Sequence, residues 1–169
     1  KQAIDSMPNG EQQNIIFKGT SELIFENKTL EWLPKEKMSS GATAYADFDL
    51  DGDLDLIINN INSKATLYEN TTNRENNYLK LKFLYKGKNP FGIGTKVFSY
   101  HNGIMQYKSL YLTKGFQASS EPLIHFGYEK ETMIDSIKVI WPNMEYQTMY
   151  DVHVNQQIEV KIEKTKPFD

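Results

Sequence analysis

Cysteine is absent from all 169 residues, which excludes disulfides, thiolate metal sites and cysteine nucleophiles together. Histidine is nearly absent too. His101, His125 and His153 show no metal-ligand spacing, and no serine sits in a Gly-x-Ser-x-Gly elbow. No apolar run approaches the roughly 20 residues that cross a bilayer, so direct membrane insertion is not expected, and no signal peptide is legible at the N-terminus. No segment sustains a 3.6-residue period, so little helix is expected. Charge of one sign is also lacking: 19 basic residues face 22 acidic ones, for a net charge of −3, with no basic stripe. Nucleic acid is therefore excluded as a partner. Gly92-Ile93-Gly94-Thr95-Lys96 completes neither the dinucleotide fingerprint nor the Walker pattern, and reads as a tight turn or bulge entering a strand. What remains is an ordinary globular composition, 39% hydrophobic and 12% aromatic, which argues against disorder.

Acidic residues, by contrast, are concentrated. Residues 47 to 55 read Asp47-Phe48-Asp49-Leu50-Asp51-Gly52-Asp53-Leu54-Asp55, with five aspartates around one glycine. Like charges at that density repel and raise one another's pKa unless a cation compensates them. Asp47, Asp49 and Asp51 alternate, Gly52 permits a sharp turn, and Asp55 returns a carboxylate from the next segment. Ca²⁺ takes six to eight oxygens, often from alternate loop positions plus a backbone carbonyl. The expected ligands are side-chain oxygens of Asp47, Asp49, Asp51 and Asp55, with the carbonyl of Asp53 as the main-chain ligand. An EF-hand would place a bidentate Glu twelfth from Asp47, where Ile58 stands instead. The flanks, Ala42-Thr43-Ala44-Tyr45-Ala46 and Leu54-Asp55-Leu56-Ile57-Ile58, read as strands, so a strand–loop–strand clip is favoured. A solvated acidic turn is the plain alternative.

The chain divides by pattern. Residues 1–13 carry the turn signal Pro8-Asn9-Gly10 and read as a polar, extended or poorly ordered lead-in. Residues 14–72 hold the acidic loop and several short strands, and Pro34 argues against a continuing helix after Trp32. The polar stretch Thr71 to Asn77 is the expected boundary. Residues 77–163 then alternate cleanly, as in Leu79, Leu81 and Phe83 against Lys80 and Lys82, and in Ile158, Val160 and Ile162. Such period-2 runs describe antiparallel strands with one buried and one wet face. Asn102-Gly103, between Val97-Phe98-Ser99-Tyr100 and Met105-Gln106-Tyr107-Lys108, signals a hairpin. The fold class expected is all-β: a partial propeller-type repeat with a calcium loop, then an antiparallel β-sandwich, with 164–169 as a tail.

Residues Gly41 to Ile57 resemble an FG-GAP or VCBS repeat, the blade of integrin-like β-propellers. Asn14-Ile15-Ile16-Phe17-Lys18-Gly19 and Ala65-Thr66-Leu67-Tyr68-Glu69-Asn70 extend the likeness. The second half resembles the ASPIC/UnbV domain, which follows such propellers in cartilage acidic protein-like bacterial proteins. The residues that carry this likeness are Phe91-Gly92-Ile93-Gly94-Thr95-Lys96-Val97, Gly115-Phe116 with Ser119-Ser120, Leu123-Ile124-His125-Phe126-Gly127 and Val139-Ile140-Trp141-Pro142. Two departures stand out: Gln117-Ala118 replaces the usual Ser-Gln, and Asn143-Met144 follows Trp-Pro where a glycine is usual.

The resemblances imply a non-catalytic, calcium-binding structural or recognition module of a larger exported cell-envelope protein. Its location would be periplasmic, outer-membrane-associated or extracellular, where calcium is plentiful enough for a weak site. Its partners would be the rest of the parent propeller in cis and a protein or glycan at the cell surface. A carbohydrate-binding module is the alternative, with Tyr107, Tyr111, Phe116 and Trp141 as a stacking platform. A polysaccharide-acting enzyme fragment is less favoured, because no residue constellation supports it. One blade cannot close a propeller, so the first half is expected to pack on the sandwich, dimerise or stay partly open.

Overall fold

The computed structural model describes residues 10–20, 22–71 and 76–168. The first unit contains β1 (Phe17–Gly19), β2 (Phe25–Asn27), one helical turn α1 (Thr29–Trp32), β3 (Ser40–Ala46), β4 (Asp55–Asn60) and β5 (Thr66–Tyr68). The second contains β6 (Tyr78–Leu84), β7 (Lys96–His101), β8 (Ile104–Ser109), β9 (Thr113–Gly115) and β10 (Ala118–Ser119). It continues with β11 (Leu123–Gly127), β12 (Met133–Ile140), β13 (Glu145–His153), β14 (Gln156–Lys161) and β15 (Lys166–Pro167). Apart from that one helical turn the described residues are all-β, with several sheets and, among them, no closed barrel. The expected lead-in lies outside the described residues up to residue 9, and residues 72–75 of the expected boundary do as well.

In the first unit β1 and β2 form a ribbon, and β3, β4 and β5 form a three-stranded antiparallel sheet in that order. Leu33, the residue before Pro34, is extended at φ −119° and ψ 147°, which stops α1 after one turn. Gln12 is tied to Met38 by two backbone hydrogen bonds of 3.0 Å, so the end of the lead-in is part of the fold. This unit buries little. Among the described residues before 72, Ile58 is the one hydrophobic side chain in the core class, while Phe17, Phe25 and Leu67 are exposed.

Two sheets of the second unit, β11-β6-β14 and β15-β13-β12-β7-β8, share one core, and β9 and β10 form a separate ribbon. Leu79, Leu81 and Phe83 on β6 meet Val97, Ile137 and Val139 from the other sheet, as the period-2 pattern requires. Asn102 and Gly103 close β7 onto β8 with φ of 48° and 76°, the paired positive angles of a two-residue hairpin turn. Gly92 and Gly94 turn the chain into β7, and Thr95, fully buried, donates its hydroxyl to the Gly92 carbonyl at 2.6 Å.

Four features differ from the sequence pattern. The pairing of β14 with β6 is parallel rather than antiparallel. The chain leaves β13 in one sheet and enters the other through Asn155, at φ 56°, so no hairpin constrains the direction. Asn155 fixes the register by donating its N–H to Tyr78 O at 2.6 Å and accepting the Tyr78 N–H on Oδ1 at 3.1 Å. Residues 166–167 form an edge strand on β13, and Phe168 packs on Tyr146, so this end of the chain joins a sheet instead of trailing as a tail. His101, which lies beyond the run Val97 to Tyr100 in the sequence pattern, ends β7 and is buried edge-on against Tyr128. Finally, Lys80, assigned to the wet face, is buried. The reason is that the first unit covers that face.

Candidate metal centre

Residues 47–54 connect β3 to β4, closing a register in which Ala46 pairs with Asp55. The turn needs unusual backbone. Leu50 has φ 64° and Gly52 φ 101°; a Cβ at Gly52 would stand 2.2 Å from the Tyr78 ring, so only glycine lets the loop approach β6 this closely.

The aspartates behave differently from one another. Asp47 is buried, and its Oδ2 accepts the Gly52 N–H at 3.0 Å and the Lys80 ammonium, while its Oδ1 is buried with no hydrogen bond. Asp49 Oδ1 accepts the Asp51 N–H at 3.3 Å, and Asp51 Oδ1 accepts the Asp53 N–H at 3.1 Å. Asp55, buried at the start of β4, accepts the Phe48 N–H at 2.9 Å and the Asn70 N–H at 2.8 Å. It therefore staples the loop to the strand end after β5. The Asp53 carboxyl is pushed up to about 6, first by burial and then by the negative charge of Asp51, Asp55, Asp49 and Asp47.

Of the five sequence-predicted residues, Asp47, Asp49 and Asp55 each bring an oxygen within 4.8 Å of the others. Those three could hold a metal ion. Asp51 and Asp53 belong to the same loop but not to that cluster. A donor set of carboxylate oxygens alone suits a hard cation such as Ca²⁺ rather than a soft or nitrogen-preferring one. The oxygens of Asp55 each retain a second lone pair beside their backbone donors.

Sequence reasoning missed the residues that the second unit contributes here. Lys80 pairs with Asp47 and lies 5.3 Å from the Tyr78 ring centroid. Ser120 accepts the Tyr45 N–H at 3.3 Å, joining the β9–β10 ribbon to β3. His125 stacks obliquely on Tyr78 and helps line a cleft of about 290 Å³ with Asp53, Asn70 and Lys108. Ser120 and His125 do fall within the motifs quoted above, which was the available signal; Lys80 had none.

His125 is pushed down to about 4 by burial first, then by Lys80 and Lys108. The folded ring is thus neutral where the unfolded one, at about 6.5, is charged. Between those values the unfolded chain binds more protons, so His125 contributes stability above about pH 6.5 that is lost as pH falls toward 4. Asp53 works the other way, its contribution fading as pH rises through about 6. Because the two oppose each other, the test is an NMR titration of the His125 ring itself. A midpoint near 4 is expected; one near 6.5 would mean a hydrated ring and an open junction.

The fold and site define a class: an all-β protein whose acidic hairpin loop docks on a two-sheet unit. Residues 85–167 match the family model for ASPIC and UnbV. The match begins in the β6–β7 connection and runs through β15; residues 14–72 lie outside it. No match was found among curated proteins.

Proposed function

We propose that the protein is a non-catalytic, calcium-binding structural and recognition module of a larger exported cell-envelope protein. In this reading residues 14–72 are an FG-GAP/VCBS-type blade, and the ASPIC/UnbV domain caps it. The observation that carries the reading is the Asp47, Asp49 and Asp55 cluster, with an oxygen of Asp47 buried and without a donor. A carboxylate oxygen in that state costs free energy unless a cation meets it. Bound there, Ca²⁺ would neutralise the repulsion among the aspartates and hold the ends of β3 and β4 together. The exposed Phe17, Phe25 and Leu67 suit a blade whose neighbours belong to the rest of a propeller. A periplasmic, outer-membrane-associated or extracellular location would provide the roughly 10⁻⁴–10⁻³ M calcium that weak extracellular modules need.

Chelation should lower the melting temperature by a few degrees, matching about 1 kcal/mol for a weak site near saturation. Asp49→Ala, which removes an exposed ligand without touching the Lys80 pair, should abolish that response. Identical melting curves with and without chelator in the unaltered protein would remove the cation from the reading.

Glycan recognition is the second reading, supported by the exposed rings of Tyr107, Tyr111 and Phe116. Trp141 does not belong to that platform, being 1% exposed. A glycan array on which Tyr107→Ala loses signal would favour it over protein adhesion.

A further inference from the structure

We propose that Lys80 is the acidic loop's resident counter-cation, so that its ammonium and a divalent ion compete for the same carboxylates. The inference rests on reading the loop as a cation site and concerns how that site is tuned. Asp47 divides its two oxygens between two roles. Oδ2 is saturated by the Gly52 N–H and by Lys80, while Oδ1 stays buried with no donor. Asp47 is 7% exposed, and an oxygen from each of Asp49 and Asp55 lies within 4.8 Å of its own. The aspartates come from the first unit and the ammonium from the second.

Lys80 has little freedom to retreat. It sits in β6, the central strand of its sheet, paired with β11 on one side and β14 on the other. Its side chain is buried, and the other titratable groups placed to influence it are Glu121, the neutral His125 ring and the loop itself. A divalent ion reaching the free oxygen of Asp47 would therefore lie within a few ångströms of a fixed positive charge. Where water is largely excluded, that repulsion is poorly screened. Occupancy weakens the hold of Lys80 on Asp47, and the Lys80 pair weakens occupancy to the same degree. With divalent ions scarce, Lys80 keeps the loop compensated and the two units docked. With divalent ions abundant, the loop fills at the expense of that latch. Lys80 thus sets the site to low affinity and couples cation binding to the junction.

The test is calorimetric titration of Ca²⁺ into the unaltered protein, Lys80→Met and Lys80→Arg. Lys80→Met should bind roughly 10-fold tighter or more, within the usual range of coupling between sites, and Lys80→Arg should stay close to the unaltered protein. Equal affinities for the unaltered protein and Lys80→Met would overturn the inference and leave the cation reading standing. Binding by Lys80→Met alone would support the inference and remove the cation from the native function. Binding by neither would end both.

Should Lys80→Met fail to fold in chelator, recovery of its circular dichroism on adding millimolar Ca²⁺ supports the inference. Should it stay unfolded, amine labelling of the unaltered protein decides the matter. Labelling of Lys80, relative to the other lysines, should rise several-fold in saturating Ca²⁺; no change would overturn the proposal.

Discussion

Asp47→Ala is expected to destabilise the protein by about 3–5 kcal/mol when unfolding is measured in urea with chelator present. The chelator removes any contribution from a bound cation, so the loss reports the ion pair and the loop. Asp47 and Lys80 have side chains 1% and 9% exposed, deep enough that solvent screening brings no relief. Truncating the carboxylate leaves an ammonium buried on a central strand with no counter-charge, and it also strips the Gly52 N–H of its acceptor. Most of the loss is the cost of the stranded charge rather than the worth of the pair itself. Replacing both partners, as in Asp47→Leu with Lys80→Met, should therefore recover much of the stability, because no charge is then left unpaired. Were Asp47→Ala to lose less than about 1 kcal/mol, the junction would have to be open enough for water to reach Lys80.

That junction also marks where sequence reading ran out. Within a strand, alternation is sufficient: Leu79, Leu81 and Phe83 are all fully buried, and Asn102-Gly103 makes the hairpin its residue types demand. Alternation separates two faces of a strand, but it cannot say what will cover the second. Lys80 and Lys82 share a face in the pattern. The first lies under the docked loop, whereas the second is itself partly exposed and reaches the partly exposed Glu159 at 3.7 Å. The parallel pairing of β14 escaped for a similar reason, since strand direction across two sheets depends on the path between them.

The acidic loop was legible as a unit because charge density and one glycine are local properties. Its internal division was not. That Asp55 would use its oxygens on Phe48 and Asn70, while Asp47 kept one oxygen without a donor, depends on residues 15 and 33 positions away, namely Asn70 and Lys80. The motif residues Ser120 and His125 carry a further lesson. They lie in the segment matched to the ASPIC/UnbV family, yet both face the first unit. The matched segment therefore includes part of the junction with the first unit, although Tyr78 and Lys80, which meet the loop most directly, precede it.

Trp141→Ala should lower stability by about 3–5 kcal/mol, a melting-temperature drop on the order of 10 °C for a protein of this size. Trp141 is 1% exposed and anchors one end of the core, edge-on to Phe83 at 5.8 Å and stacked on Tyr85 at 5.5 Å. Its ring N–H donates to Gln147 Oε1 at 3.0 Å, and Gln147 in turn accepts the Glu163 N–H and donates to the Lys161 carbonyl. Removing the indole opens a cavity and cuts one bond, but Gln147 keeps two partners, so the cavity dominates the loss. Trp141→Phe should recover part of the packing and lose mainly the hydrogen bond. Fluorescence gives an independent check, because Trp32 is the second tryptophan and is nearly half exposed. Trp141→Ala should leave only red-shifted emission, and Trp32→Ala only blue-shifted emission. A Trp141→Ala protein that melts within a degree or two of the original would mean that the indole fills no core. If Trp141→Ala also lost glycan binding, that loss would follow from the weakened fold and not from a missing sugar contact. Tyr107→Ala, whose ring is half exposed on β8, is the variant that separates the two.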